Sequence, residues 1–204
     1  MKNLITETPL PENVQPKGVH PQRFALWIGM ASLVMLFAAL TSAYIVRHEA
    51  GNWTEFNIPI SFFISAVIIV ISSGTMHWAV KAFKSDDLAN YRMALSLTTT
   101  LALAFCATQY IGWQQLQKIG IYLEGNPSGS FVYVISFIHV LHVLIGVLLL
   151  AGTLVRSYII FSNRTKWIKW HVDNNKSIRI ELLASYWHFV DILWLYLLAF
   201  FYFN

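Results

Sequence analysis

Three ionisable residues near the end of the chain stand where charge is expensive. Asp191 lies about thirteen residues into the last apolar run, ~20 Å along a helix at ~1.5 Å per residue. His188 is three residues earlier, and Glu181 is seven before that, with Ala184 and Ser185 between them. These spacings set Glu181, His188 and Asp191 on one helix face. A charge at that depth costs about 2.5–3.5 kcal/mol on insertion scales, so the carboxyl must be paired, neutralised or turned towards protein. One run earlier, His139, His142, Gly146 and Thr153 share a stripe at spacings of three, four and seven. The chemistry open to such groups is proton transfer, bonding between helices, or haem ligation by two imidazoles. Haem ligation needs histidines on different helices at similar depth, which leaves His77 and His188 as the pair to test. Copper asks for thiolates or a histidine cluster, and neither is visible. Cys106 is the sole cysteine, which excludes an internal disulfide, a Cys-rich zinc site and an iron–sulfur cluster. No nucleophile–base pair or phosphate-binding loop is present.

The elements that must carry these residues follow from composition. Hydrophobic residues make up 56% of the 204-residue chain and charged residues 12%, about half the charge of an average soluble domain. Five apolar runs, 24–46, 57–83, 93–116, 131–155 and 178–203, are each long enough to cross a hydrocarbon layer of ~30 Å as a helix. The runs are continuous, not the alternating ~10-residue segments of a β-barrel. The expectation is an all-α integral membrane bundle of five transmembrane helices in one domain, 24–204. Residues 1–23 read as an extended cytoplasmic tail holding Pro9, Pro11, Pro16 and Pro21.

Basic residues set the expected orientation. Twelve of the fourteen, among them Lys2, Lys17, Arg23, Lys81, Lys84, Arg92 and the group from Arg156 to Arg179, fall on one side, and only Arg47 and Lys118 on the other. The N-terminus is expected inside and the C-terminus outside. The basic fourth connection reads as positive-inside bias with anionic lipid contact, not as a nucleic-acid patch. Two further stripes, Ser61, Ser65 and Ser72 in the second run and Ser32, Ala39 and Ala43 in the first, have the small side chains that let helices approach closely.

The segment Ser185-Tyr186-Trp187-His188-Phe189-Val190-Asp191-Ile192-Leu193-Trp194 resembles the last helix of subunit III of the haem–copper terminal oxidases. That family carries a Tyr-Trp-His-Phe-Val-Asp run with a Trp three residues on and a Glu seven before the His, the place of Glu181. Its preceding helix has a His-Gly-x-His motif, matched at both histidines by His139-Val140-Leu141-His142. Gln109 followed by Trp113 resembles its third-helix Gln-x-x-Glu-aromatic sequence. Phe24, Leu26 and Trp27, followed by Ala31-Ser32, resemble its opening Phe-x-x-Trp helix. The chain departs from the pattern at Leu33, where the family usually has a Glu, at Gly112 in place of the Glu after Gln109, and at Val140 between the histidines.

The resemblance, to the five-helix bacterial form, implies a non-catalytic subunit in a proton-pumping cytochrome c oxidase of the bacterial inner membrane. It implies no haem, copper or catalytic residue in this chain, with those cofactors in partner subunits. It also implies direct packing on subunit I, neighbourhood to subunit II and small subunits, bound phospholipid, support for proton uptake, and membership of larger respiratory assemblies. The structural, lipid or proton-support candidates are Glu181, His188, Asp191, His139, His142, Gln109, Trp187 and Trp194. A quinol oxidase subunit III is the nearest alternative. Readings of another class are a membrane b-type cytochrome using His77 and His188, and a small proton-linked transporter using Asp191 and His188. Broken helices would mark a transporter, and Pro59 at a helix start is the nearest approach to one.

Overall fold

The computed structural model describes residues 21–51, 53–161 and 176–204. Its elements are five helices, α1 (Pro21–Glu49), α2 (Ile60–Lys84), α3 (Leu88–Lys118), α4 (Pro127–Phe161) and α5 (Lys176–Phe203). All five are long and apolar enough to cross a membrane, and no strand occurs among the described residues. The expected five-helix, all-α architecture is the observed one. The proline-rich tail before Pro21 and the basic residues Arg164, Lys166 and Lys169 lie outside the described residues.

Helix α3 and the end of α2 run past their apolar runs because their polar ends are capped. Pro21 opens α1, a position where its missing N–H costs nothing. Asp87 caps α3, its carboxylate accepting the Asn90 backbone N–H at 3.1 Å. Helix α2 closes in a Schellman turn. There Asp86 takes a positive φ of 55°, the Asp86 N–H bonds the Phe83 carbonyl and the Asp87 N–H bonds the Ala82 carbonyl. Asp tolerates that left-handed conformation better than most residues. Helix α3 ends the same way, with Gly120 at φ 82° and the Ile121 N–H reaching the Leu116 carbonyl. The tight Ser85–Asp87 turn folds α3 back along α2, and these two form the most extensive helix pair in the molecule.

Helices α2, α3, α4 and α5 close a ring, each packing on two others in the order α2–α3–α4–α5–α2. Helix α1 stands outside it, against α4 and α5. The ring interior is filled by Phe62, Ile69, Met76, Leu95, Phe105, Ile135, Leu150, Trp187, Trp194 and Leu197, all fully buried. Two glycines admit the largest of these side chains. A Cβ on Gly112 would stand 2.5 Å from the Phe62 ring, and one on Gly146 2.8 Å from Trp187.

The serines of α2 tie the ring together. Ser65 donates to the Phe62 carbonyl at 2.7 Å and accepts both the Gln109 amide of α3 at 2.9 Å and the Trp194 indole N–H of α5 at 3.0 Å. Its hydrogen-bonding capacity is thereby filled. Ser72 accepts the Trp187 indole at 3.1 Å, and Ser61 bonds Gln115 at 2.8 Å. One turn towards the Lys84 end, Thr75 meets Thr98 at 2.8 Å. The second-run serine stripe is therefore a line of polar joints. The small residues of the first run behave differently: Ser32, Ala39 and Ala43 all face outward. Spacings of seven and four put them on one face, as expected, but among the described residues no helix covers it.

Two outcomes follow. Ser65→Ala strips the acceptor from two buried donors at a cost of about 1–3 kcal/mol each. It lowers the thermal midpoint in detergent well below that of Ser61→Ala, which frees one partly buried amide group. Asp87, whose carboxylate is held below the ordinary range by the Asn90 backbone and side-chain amides, contributes stability only while ionised. That contribution is present above the ordinary carboxylate range and is lost as pH falls through the lowered folded value. The pH dependence of the midpoint below about pH 5 is shallower in Asp87→Asn.

Candidate functional site

The polar face expected on the last helix lines an open groove between α2 and α5, which α1 borders at the Lys84 end only. Nearest the Lys84 end is a hollow of about 390 Å³ bordered by Arg23, Trp27, His77, Glu181, Ser185 and His188. The next, of about 400 Å³, is bordered by Ser73, Gly74, His77, His188, Asp191 and Leu195. His77 and His188 belong to both, so the hollows are successive compartments of one groove.

Glu181 is the clamp at its mouth. One carboxylate oxygen accepts from Arg23 of α1 at 2.7 Å, the other from Lys84 of α2 at 2.9 Å. Three helices are thus joined at one side chain, and α1, outside the ring, is fastened by its first turn. Both cations are about half exposed, which limits such pairs to about 0.2–1 kcal/mol each.

Deeper in the groove His188 bonds Ser73, with 2.6 Å between Nδ1 and the hydroxyl oxygen. Asp191 is 3% exposed. Neither carboxylate oxygen closes a hydrogen bond of ordinary geometry, and Ser73 is its polar neighbour. Glu181, His188 and Asp191 thus share the face that their spacing set; Glu181 bonds to α1 and α2 and His188 to α2, and the three do not bond to one another.

The α4 stripe is arranged otherwise than expected. His139 is fully buried, stacked on Trp194 at 5.2 Å between ring centroids and met edge-on by Phe37 and Phe105. Neither of its ring nitrogens reaches a partner. His142 turns Nδ1 to the Ile138 carbonyl of its own helix at 2.8 Å, while its backbone carbonyl accepts the Tyr186 hydroxyl at 2.9 Å. The imidazoles pack, and the bond between helices is made by backbone and tyrosine. Gln109, Trp187 and Trp194, singled out by motif, are all buried joints to the α2 serines. Trp113 closes the α3–α4 seam through Ser136 at 2.9 Å.

The departures from the resembled pattern have local explanations. Gly112 carries no side chain where Phe62 fills the space, and Leu33 places a half-buried alkyl group on α1. Ser73, Arg23 and Lys84 complete the groove, yet no spacing within one helix points to them. They are paired with α5 by the register between helices. Among the described residues no group of three His, Cys, Asp or Glu side chains stands close enough to hold a metal ion.

Comparison with known proteins gives one consistent answer. The family described as cytochrome c oxidase subunit III matches residues 17–204. The chain is 28% identical to cytochrome c oxidase subunit 3 of Thermostichus vulcanus over 189 residues, covering 90% of this chain and 88% of that one. It is 31% identical to the probable cytochrome c oxidase subunit 3 of Nocardia farcinica, over 86% of this chain and 84% of the relative. Against the probable cytochrome c oxidase subunit 3 of Rickettsia felis the identity is 30%, over 93% of this chain and 72% of the relative.

The clamp makes a salt-dependent prediction. Glu181→Gln removes the negative charge that holds both cations and leaves one neutral acceptor oxygen in place of two, so the thermal midpoint falls slightly at low ionic strength. The decline that the unsubstituted chain shows between low and high salt disappears, because screening has nothing left to weaken. Thermal denaturation in neutral detergent across a salt series reads both effects.

Proposed function

The chain belongs to the cytochrome c oxidase subunit III family, so it is a subunit III of a haem–copper oxidase; on that footing we propose a non-catalytic part in the complex, stabilising subunit I, holding lipid and supporting proton uptake. The observation that carries this reading is the interior of the ring. It is filled by hydrocarbon, tryptophan and serine joints, with no set of metal ligands among the described residues. Such an interior holds helices in place.

The basic-residue count supports an orientation with the Lys84 end of the bundle at the cytoplasmic face. The fourteen basic residues then lie twelve inside and two outside. The setting proposed is the inner membrane of a bacterium, as for the bacterial relatives. Subunit I is the direct partner, with subunit II and small subunits alongside, and larger respiratory assemblies beyond. The outward faces of α1, with Trp27, Ile28, Val34, Met35 and Val46 exposed, suit acyl chains. Cytochrome c is the proposed electron donor to the complex, with quinol the alternative; the donor docks on other subunits.

A specific observation gives a second reading some footing: His77 and His188 border the same two hollows, as a b-type haem would require. Nδ1 of His188 is bonded to Ser73, which leaves Nε2 as the ring nitrogen an iron would take. The deciding experiment is mild detergent extraction, native electrophoresis and a visible spectrum of the band. The expected result is a complex containing a haem–copper subunit, and a chain that after separation has no haem absorption. A stoichiometric haem band on the separated chain, lost in His188→Leu, supports the cytochrome instead.

A further inference from the structure

We propose that Asp191 is a proton-exchanging site, connected to the Lys84 end of the bundle through the groove that holds His77 and His188. The inference deepens the proton-support part of the proposed function by naming the residues that would carry it.

Two ladders face each other across the groove. On α2, Ser73 and His77 are one turn apart; on α5, Asp191 and His188 are one turn apart, with Ser185 and then Glu181 below them. Each turn advances ~5.4 Å, so polar side chains recur at the spacing that one or two water molecules bridge. The rungs touch at the 2.6 Å contact between His188 Nδ1 and the Ser73 hydroxyl. The two hollows, about 390 and 400 Å³, each have room for several waters at ~30 Å³ apiece. At the open end stand Arg23, Glu181 and Lys84, where the groove meets the polar surface.

The carboxyl that borders the second hollow is not among the joints of the bundle. The ring is joined by Ser61, Ser65, Ser72 and Thr75, and α1 is fastened by Glu181. Asp191 is more than nine-tenths buried, borders the deeper hollow and has both oxygens without a hydrogen bond. An ionisable side chain inside a membrane without a partner is costly, and chains of Asp, Glu and His at such depth are characteristic of proton relays. Imidazole suits the intermediate positions because one ring nitrogen accepts a proton while the other releases one. A proton from water at the open end binds the free ring nitrogen of His188. The proton on Nδ1 passes to the Ser73 oxygen, and the Ser73 hydroxyl proton passes to Asp191. The return path reverses these steps, so O–H and N–H bonds alone are made and broken.

The titratable and charged groups facing Asp191 along this path are His188 and Glu181 on α5, His77 and Lys84 on α2, and Arg23 on α1. From α4, His139 and His142 border neither hollow.

The test reads the carboxyl itself in the extracted complex by infrared difference spectroscopy. The Asp191 band is identified by its loss in Asp191→Asn. If that variant does not assemble, Asp191→Glu identifies the band by a frequency shift. In the unsubstituted complex the band is expected to change with bulk pH and to shift when H₂O is replaced by D₂O within the time of buffer exchange. His188→Phe and His77→Leu are expected to slow the deuterium shift at least tenfold, and His142→Phe, outside the groove, to leave it unchanged. A band indifferent to pH and to D₂O overturns the proposal: the groove is then sealed by an acyl chain or a partner helix. Equal exchange in the histidine variants overturns it as well. The band is read whatever partners accompany the chain, so a silent Asp191 and a missing oxidase are separate failures.

Discussion

A buried N–H in a bilayer has no water to fall back on, and that constraint governs this bundle. Helix α5 brings two indoles into the ring, and each must find an acceptor on a neighbouring helix. Ser72 and Ser65, two turns apart on α2, supply them at 3.1 and 3.0 Å. The same Ser65 takes the Gln109 amide of α3, so one hydroxyl fixes the mutual register of three helices. Tryptophan provides bulk to fill the centre and a single donor to orient it. Gly146 leaves the space in which Trp187 can lie flat against α4. Remove the serines and the tryptophans lose their anchors; put a side chain on Gly146 and Trp187 loses its space.

That interior explains why the polar groups fall into two kinds. Within the ring every serine and most amides are committed, and Gln109 Oε1 and the ring nitrogens of His139 are the buried exceptions there. On the groove side of α5 the groups are spaced a turn apart: Glu181 sits at the rim between Arg23 and Lys84, Ser185 bonds back to its own helix, His188 meets Ser73, and only Asp191 is left without a bond. The Asp191 carboxyl belongs to the second kind although it is as buried as the first. A helix can therefore present one face that is pure architecture and another that is open to small mobile species, and α5 does both with residues one position apart, Trp187 and His188.

Five helices were legible from apolar length alone, because hydrocarbon thickness sets a minimum that few other constraints imitate. Their ends were not: α3 starts at Leu88 and α4 runs to Phe161, since capping by Asp87 and polar terminal turns carry a helix beyond its apolar run. Spacing correctly put Glu181, His188 and Asp191 on one face, and Trp187 and Trp194 stood out by motif. What spacing could not supply was the partner. Ser73 is 115 residues from His188 and Lys84 is nearly as far from Glu181, and only the sliding register of α2 against α5 brings them together. The same blindness misread α1. Ser32, Ala39 and Ala43 have the size and period of a packing stripe, but a period says which residues share a face and not whether this chain covers it.

The position of α1 bears on biogenesis. Helices α2 and α3 are consecutive and pair through a three-residue turn, so they can associate as soon as both are in the lipid. Helix α1 is synthesised before them, yet its main neighbours are α4 and α5, and the residue that fastens its first turn, Glu181, is made 158 residues after Arg23. During translation α1 must wait in the bilayer without either of these neighbours until α4, and then α5, is threaded. Its mean hydropathy of 2.1 in the best window, above that of α2, α3 and α5, suits a segment obliged to survive that interval without its packing neighbours.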